Sequence, residues 1–467
     1  MTTLPRRALG LLVVGSGSLI TPLDSSVNIA FPYIVGDFGE PMAMIQWVVI
    51  CYVLTYASLM LVFGKLGDMF GHRRIFGIGL GVSAVGLLLV SVSPSFEGLL
   101  FFRFLQGLGS GLVTSVGPAL IIALYPDDQR GRAVGMFTLI YALGSMLGPS
   151  VGGWLVEQFD WRAVFWFRAP IALFSLVLLT TLPATARRLE KPSYDIAGSI
   201  TLILAMSSFL LTLNQLQRLE EQGVLPVLGF ALVFALSVAG FIRAESRAKE
   251  PILKLGVFKN LDFTIVNLTS CLVYLSTFSV MLIIPFLLPR LPDLPVSMAG
   301  LVLAIGFVGA SLAAPLGGRL IGPLRANWIC FAGAAMTGLG ILAIGRVAGG
   351  EDLWWMIGAL LLQGIGTGLF QVSYMYIVTG TLPVADRGVS GSLAMLTRTI
   401  GVVASVTTLT MTFAWMREAA SAGGMNEAES FQNAFQGTFT LAGGGLLVFL
   451  LATMVRPRVW LGRSEQQ

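Results

Sequence analysis

The chain has 467 residues, 55% of them hydrophobic and only 11% charged, and a formal net charge of +5. Soluble domains carry about 25% charged residues, so a water-soluble fold of this length lacks the polar surface it needs and is excluded. His72 is the single histidine, and Cys51, Cys271 and Cys330 form no CxxC or metal-ligand spacing. Zinc sites and Cys/His catalysis therefore lack their residues, and we expect no metal and no cofactor.

In chain order, fourteen apolar runs cover residues 9–34, 45–64, 75–92, 99–125, 133–156, 165–182, 196–213, 224–242, 263–288, 298–320, 328–344, 353–378, 389–415 and 435–455. Their length of roughly 17–27 residues matches what crosses a ~30 Å hydrocarbon core. Non-alternating runs of this length are helices rather than barrel strands. The expected class is an all-α polytopic membrane protein. The first run follows Arg6-Arg7, as a signal peptide would. It is too long for one, holds Asp24 and Asn28, and lacks an A-x-A site, so we expect a mature helix.

Lysine and arginine set the orientation. With a cytoplasmic N-terminus, 21 of the 29 basic residues fall in inner segments. Six fall outside: Arg162, Arg168, Arg218, Arg290, Arg346 and Arg417. The positive-inside rule places both termini in the cytoplasm, and the net charge follows from that bias rather than from nucleic-acid binding.

Residues 105–112 read LQGLGSGL and residues 362–369 read LQGIGTGL, six of eight identical at an offset of 257. The same offset aligns Arg130-Gly131 with Arg387-Gly388. Internal repetition in a helical membrane protein is the hallmark of secondary transporters. Run four matches run twelve, eight spans on, so two spans (196–213 and 224–242) are inserted between six-helix halves. The expected domains are a bundle at 1–190, a two-helix insert at 191–255 and a second bundle at 256–467.

Between runs two and three lies Gly64-Lys65-Leu66-Gly67-Asp68-Met69-Phe70-Gly71-His72-Arg73-Arg74. It reads as a short turn in which glycines permit reversal and Asp68 pairs with Arg130 or Arg132 or caps a helix. A purely topogenic basic turn would need the arginines but not Asp68 or the glycine spacing. Arg103-Phe104-Leu105-Gln106-Gly107 opens run four, and the repeat replaces Arg103 by Leu360. Run five carries Gly144-Ser145-Met146-Leu147-Gly148-Pro149-Ser150-Val151-Gly152-Gly153, whose small residues allow close helix contact and whose proline removes a donor.

These three motifs resemble those of the major facilitator superfamily: its loop between helices two and three, its helix-four motif and its helix-five antiporter motif. The resemblance implies two six-helix bundles working by alternating access. It also implies a gating role for Gly64, Asp68, Gly71, Arg73, Arg130 and Arg132, and export through Gly144, Gly148, Pro149, Gly152 and Gly153. Residues 23–32, the two inserted spans and Asp160-Trp161-Arg162 are similar to the fourteen-helix drug–proton antiporter branch. Arg168 stands where that branch usually carries asparagine; it either alters substrate choice or snorkels to the interface.

Within the spans the fixed charges are Asp24, Arg103 and Arg398, with Glu157 at an outer end. We expect Asp24 to be the proton-coupling acid and Arg103 to tune its hold on the proton; the other reading is a permanent structural ion pair. Arg398 reads as a cavity residue or as a hydrogen-bond donor to backbone or Gln371. Asn28, Tyr52, Tyr56, Tyr141, Asn267, Tyr274, Gln371 and Tyr374 are the remaining cavity candidates, although packing accounts equally for each alone. A cavity with few charges suits amphipathic or lipophilic cargo. The expected function is proton-coupled export of such molecules, of the multidrug efflux type, from the cytoplasmic membrane of a bacterial-type cell. The alternative is export or flipping of a lipid-like or specific metabolite cargo. Expected partners are the cargo, protons and membrane lipids, with no nucleic acid; the working unit is a monomer, open to an accessory envelope protein. A membrane enzyme is disfavoured, because no HExxH, Ser/His pair or acidic metal cluster is present.

Overall fold

The computed structural model describes residues 3–122, 130–182, 195–217, 222–248, 255–290, 294–321, 324–347, 353–381 and 389–461. These residues are helical nearly throughout and include no strand. Among the described residues, eleven helical segments are long and apolar enough to span a membrane, and Met42–Tyr56, Ala163–Leu179 and Ala197–Phe209 are shorter apolar helices. Large apolar side chains line their exterior. On the helix Val224–Arg247, Leu225, Leu228, Leu232 and Leu236 are all exposed, Leu225 by 81%. Such stripes are incompatible with water and are the ordinary lipid-facing surface of a membrane helix.

The helices are α1 (Thr3–Leu19), α2 (Ser26–Phe38), α3 (Ile45–Phe70), α4 (His72–Ser91), α5 (Phe96–Ile122), α6 (Arg130–Gln158), α7 (Ala163–Trp166), α8 (Arg168–Leu179), α9 (Ile196–Gln217) and α10 (Val224–Arg247). They continue with α11 (Leu261–Leu287), α12 (Val296–Leu320), α13 (Ala326–Ile344), α14 (Leu353–Thr381), α15 (Val389–Ala422), α16 (Glu427–Thr453) and α17 (Arg458–Leu461). The chain divides into two compact units. The first comprises Met1–Ile203, Ala248–Glu250 and Pro295–Leu301; the second comprises Leu204–Arg247, Pro251–Leu294 and Val302–Gln467.

The first run is not one continuous helix. Pro22 lacks an N–H and cannot continue the helical ladder, and α1 stops at Leu19. A 3-10 turn, Pro22–Ser25, then leads into α2. The loop between runs two and three is also tighter than expected. The helix α3 continues through Gly64 to Phe70, and His72 already begins α4. The reversal falls on Gly71, whose φ of +94° only glycine adopts without strain. Gly67 serves packing instead: a Cβ there would lie 2.5 Å from Val116 Cγ1.

Each unit contains the same small-residue seam. In the first, α4 meets α5 where Gly79 and Ser83 face Gly109, and where a Cβ on Gly86 would lie 2.9 Å from the Gln106 backbone nitrogen. In the second, α13 meets α14 where Gly333 and Thr337 face Gly366, and a Cβ on Gly340 would lie 2.5 Å from the Gln363 nitrogen. The repeated LQG(L/I)G(S/T)GL segment is thus one side of a helix–helix contact with backbones in direct apposition. Shape, not hydrophobicity, distinguishes that seam from the lipid, since lipid tails are as apolar as leucine.

Candidate functional site

The break between α1 and α2 places Asp24 on a 3-10 turn rather than on a regular helix face. The glycines of α6 seat this turn. At i, i+4 spacing, Gly144, Gly148 and Gly152 form one face of the helix. A Cβ at Gly144 would lie 2.7 Å from Pro22, one at Gly148 would overlap Ser25, and one at Gly152 would lie 2.7 Å from the Ser26 carbonyl. The Ser25 hydroxyl also donates to the Ser145 carbonyl at 3.2 Å. The adjoining face, Pro149 and Gly153, packs inside the same unit on the first turn of α12. There the Cβ of a side chain at Gly153 would lie 2.5 Å from the Val296 carbonyl, and Gly300 abuts the Pro149 carbonyl. Glu157 closes the contact by accepting from the Ser297 N–H at 2.7 Å.

Asp24 is held by α5 and α8. Arg103 and Gln106, one turn apart on α5, both reach it. Arg103 clamps the carboxylate through Nη1 to Oδ1 at 2.8 Å and Nη2 to Oδ2 at 3.0 Å, the bidentate geometry of a strong charge-assisted pair. Gln106 Nε2 donates to Oδ1 at 3.0 Å, and its Oε1 accepts from Arg103 Nη1 at 2.8 Å. Arg103 Nε is satisfied by the Val48 carbonyl of α3 at 3.0 Å, and its guanidinium lies 4.3 Å over the Tyr52 ring. Arg168, the first residue of α8, adds a third donor to Oδ1 at 2.6 Å, while its Nε donates to the Val164 carbonyl at 2.9 Å. Arg103 is 2% exposed, Arg168 0% and Asp24 12%.

Of the two readings of Arg168, the one in which it snorkels to the interface is therefore overturned: its side chain is fully buried. Pro170 in the first turn of α8 interrupts the helix after α7, and Arg168 sits at that break with its head turned inward. Neither Arg168 nor Gln106 stood among the expected coupling residues. The signal for Arg168 was a cation within the apolar segment Phe167–Ala169, and for Gln106 its recurrence as Gln363 in the repeat.

The other candidates sort by unit. In the first, Tyr52, Tyr56 and Asn28 are buried, with the two tyrosine rings 5.3 Å apart. Tyr141 is half-buried, and its carbonyl accepts from the Ser145 hydroxyl. Arg73 donates to the Thr180 carbonyl at 2.9 Å. The side chains of Asp68, Arg130 and Arg132 lie outside the described residues, and with them the expected pairing of this loop. In the second unit Tyr374 donates to Asn267 Oδ1 at 2.9 Å and lies 3.0 Å from Thr397 Oγ1, which meets Ser270 at 3.1 Å. Arg398 is half-buried with its guanidinium 5.6 Å from the Tyr274 ring centre, whereas Gln371 is exposed. Gln363 donates to Thr367 at 3.0 Å, so the partner of Gln106 in the repeat lies in a neutral network and Gln106 in an ionic one.

Spanning helices repeated in two units around buried polar networks define a polytopic membrane transporter rather than an enzyme. A family model described as Major Facilitator Superfamily matches residues 14–406, and the chain belongs to that superfamily. The riboflavin transporter RibZ of Clostridioides difficile (strain 630) is 28% identical over 84% of this chain and 84% of its own length. The tetracenomycin C resistance and export protein of Streptomyces glaucescens is 30% identical over 84% of this chain and 73% of its own. Among solved structures, peptide transporter POT in complex with sulfate superposes with a TM-score of 0.73 at 16% identity, over 98% of this chain and 99% of that one. That last likeness is one of fold.

Proposed function

We propose that the protein is a proton-coupled exporter of amphipathic or lipophilic small molecules, of the fourteen-helix drug–proton antiporter branch, working by alternating access. The observation that carries this reading is the carboxylate of Asp24 inside the first span, ion-paired to Arg103 and Arg168. A carboxylate can hold two guanidiniums or a proton, and not both at full strength. Proton uptake at Asp24 releases the two arginines, which are anchored on α5 and α8, and so changes how those helices are tied to the α1–α2 break. Such an exchange biases one of two arrangements of the helices, which is what coupling requires.

Export is supported by the helix-five motif and by relatives named for drug resistance. The eleven long apolar segments plus three shorter ones support a fourteen-span count, and the excess of basic residues on one side supports cytoplasmic termini. A second reading, export of a specific metabolite, is favoured by the riboflavin transporter among the relatives.

The test is transport in proteoliposomes with an imposed pH gradient, using a panel of lipophilic dyes and flavins. Wild type extrudes cargo only while the gradient lasts. Asp24→Asn loses gradient-driven transport but keeps downhill cargo exchange; Asp24→Asn/Arg168→Gln, which avoids leaving two unpaired cations, likewise loses gradient-driven transport. Gradient-driven transport that survives both substitutions eliminates Asp24 as the coupling group.

A further inference from the structure

The cluster around Asp24 does not balance. Arg103 and Arg168 contribute two permanent positive charges and Asp24 one negative. Among the described residues Asp24 is the acid paired with either guanidinium. The donors do not balance either. Asp24 Oδ1 already accepts from Arg103, Gln106 and Arg168, and Oδ2 accepts from Arg103. Arg168 uses Nε on Val164 and Nη1 on Asp24, while its Nη2 is buried and makes no hydrogen bond. Nη2 carries two of the five N–H donors of a guanidinium. A buried donor on a charged group is costly to leave unmade, and Oδ1, the oxygen that Arg168 reaches, already accepts three hydrogen bonds.

We propose that Arg168 Nη2 docks the anionic head of the cargo, so that the substrates are amphipathic organic monoanions: an apolar, commonly aromatic body bearing one carboxylate or sulfonate. This inference rests on the exporter reading and narrows it. One bound monoanion brings the cluster to neutrality, two negative against two positive. A cation would add to the surplus, and a dianion would overshoot it. Aromatic rings stand beside the head group: the Phe165 ring centre is 5.6 Å from both guanidinium carbons, and Tyr52 lies under Arg103. The anion and Asp24 meet on one guanidinium, the anion at Nη2 and the carboxylate at Nη1.

The experiment uses two fluorescent probes with the same ring system, the anion 8-anilinonaphthalene-1-sulfonate and the neutral N-phenyl-1-naphthylamine. Each is titrated against the full chain in nanodiscs, with empty nanodiscs subtracted. Wild type binds the sulfonate at least tenfold more tightly than the amine. Arg168→Gln loses that tenfold preference with amine binding unchanged, and Arg168→Lys, which keeps the charge but not the fork, loses about threefold. Equal affinity of wild type and Arg168→Gln for the sulfonate overturns the proposal. So does a parallel loss of both probes in a variant that melts as wild type does.

Should Arg168→Gln fail to fold, displacement from wild type decides. 1-Naphthalenesulfonate displaces the bound sulfonate probe and 1-naphthylmethylammonium does not; equal displacement overturns the inference. Transport separates this claim from the one beneath it. Gradient-driven extrusion of the neutral amine without any anion preference sinks the anion site and leaves the exporter standing. Arg168-dependent sulfonate binding with no gradient-driven movement of either probe does the reverse.

Discussion

Removing Asp24 and removing one of its arginines are not equivalent perturbations. Asp24→Asn leaves Arg103 and Arg168 facing each other without a counter-charge, both essentially buried. Arg168→Gln leaves Arg103 and Asp24 as a neutral bidentate pair. Breaking a buried pair so that an uncompensated charge remains costs about 3–5 kcal/mol. We therefore expect Asp24→Asn to melt well below wild type and Arg168→Gln to melt closer to it. The double variant Asp24→Asn/Arg168→Gln should recover part of the loss, because a single cation is easier to hydrate than two. Thermal melts of the four proteins in one detergent check this, and additive losses would contradict the charge count.

The cluster was half legible in the sequence. Asp24 and Arg103 stand out because a charge inside an apolar run is rare and expensive. Arg168 was visible as a cation, but which way its head turns depends on the helix break at Phe167 and on α8 packing beside α1. No local pattern encodes that arrangement.

At the scale of the helix, the Gly-Pro segment of α6 acts through what it excludes. Its glycines at 144, 148 and 152 leave room for the turn that carries Asp24, and a side chain there would occupy the position of Pro22, Ser25 or Ser26. Overpacking of this kind costs about 1–3 kcal/mol, and here it displaces the Asp24 carboxylate as well. We expect Gly152→Leu to reduce gradient-driven export at least tenfold and to lower the melting temperature. Gly81→Leu, where nothing lies within 4 Å of a new Cβ, should change neither.

A second element-scale outcome concerns the turn after α3. Gly71→Ala places a Cβ on a residue with φ of +94°, a conformation that costs about 1–3 kcal/mol outside glycine. Gly64→Ala, inside α3 with open space around it, should be neutral or slightly stabilising, since alanine is the better helix former. Melting curves of the two variants separate the glycine that turns the chain from the one that does not. Sequence spacing treated the two alike, because a glycine written near a loop does not say whether the helix has already ended.

Across the whole molecule, duplication has kept the frame and changed its contents. The seam of α4 with α5 and that of α13 with α14 use the same small residues at corresponding places. The repeat was readable because close backbone contact tolerates few residue types. The interior polar groups diverged: Arg103 became Leu360, and Gln106 in an ionic cluster became Gln363 among threonines. The fixed charges described within the first unit's interior have no counterpart in the network of Asn267, Tyr374, Thr397 and Ser270, which is built from neutral groups. Charge responds to pH and neutral hydrogen bonds do not, so the two networks should fail in different ways.

Tyr374→Phe removes one hydroxyl that joins Asn267 to Thr397 and leaves the ring stacked on Phe370, 5.6 Å between centres. The loss is of about 1–3 kcal/mol in stability, enough to loosen α14 against α11 and α15 without unfolding either. We expect its transport rate and apparent cargo affinity to change by a few-fold while the dependence on the pH gradient keeps the wild-type midpoint. Gln106→Leu, which strips a donor from Asp24 and an acceptor from Arg103, should move that midpoint even where the maximal rate is preserved. Initial rates of cargo uptake into inverted vesicles, measured across a series of imposed gradients, compare the two. A shifted midpoint in Tyr374→Phe, or an unmoved one in Gln106→Leu, would contradict the assignment of the pH response to the charged network alone.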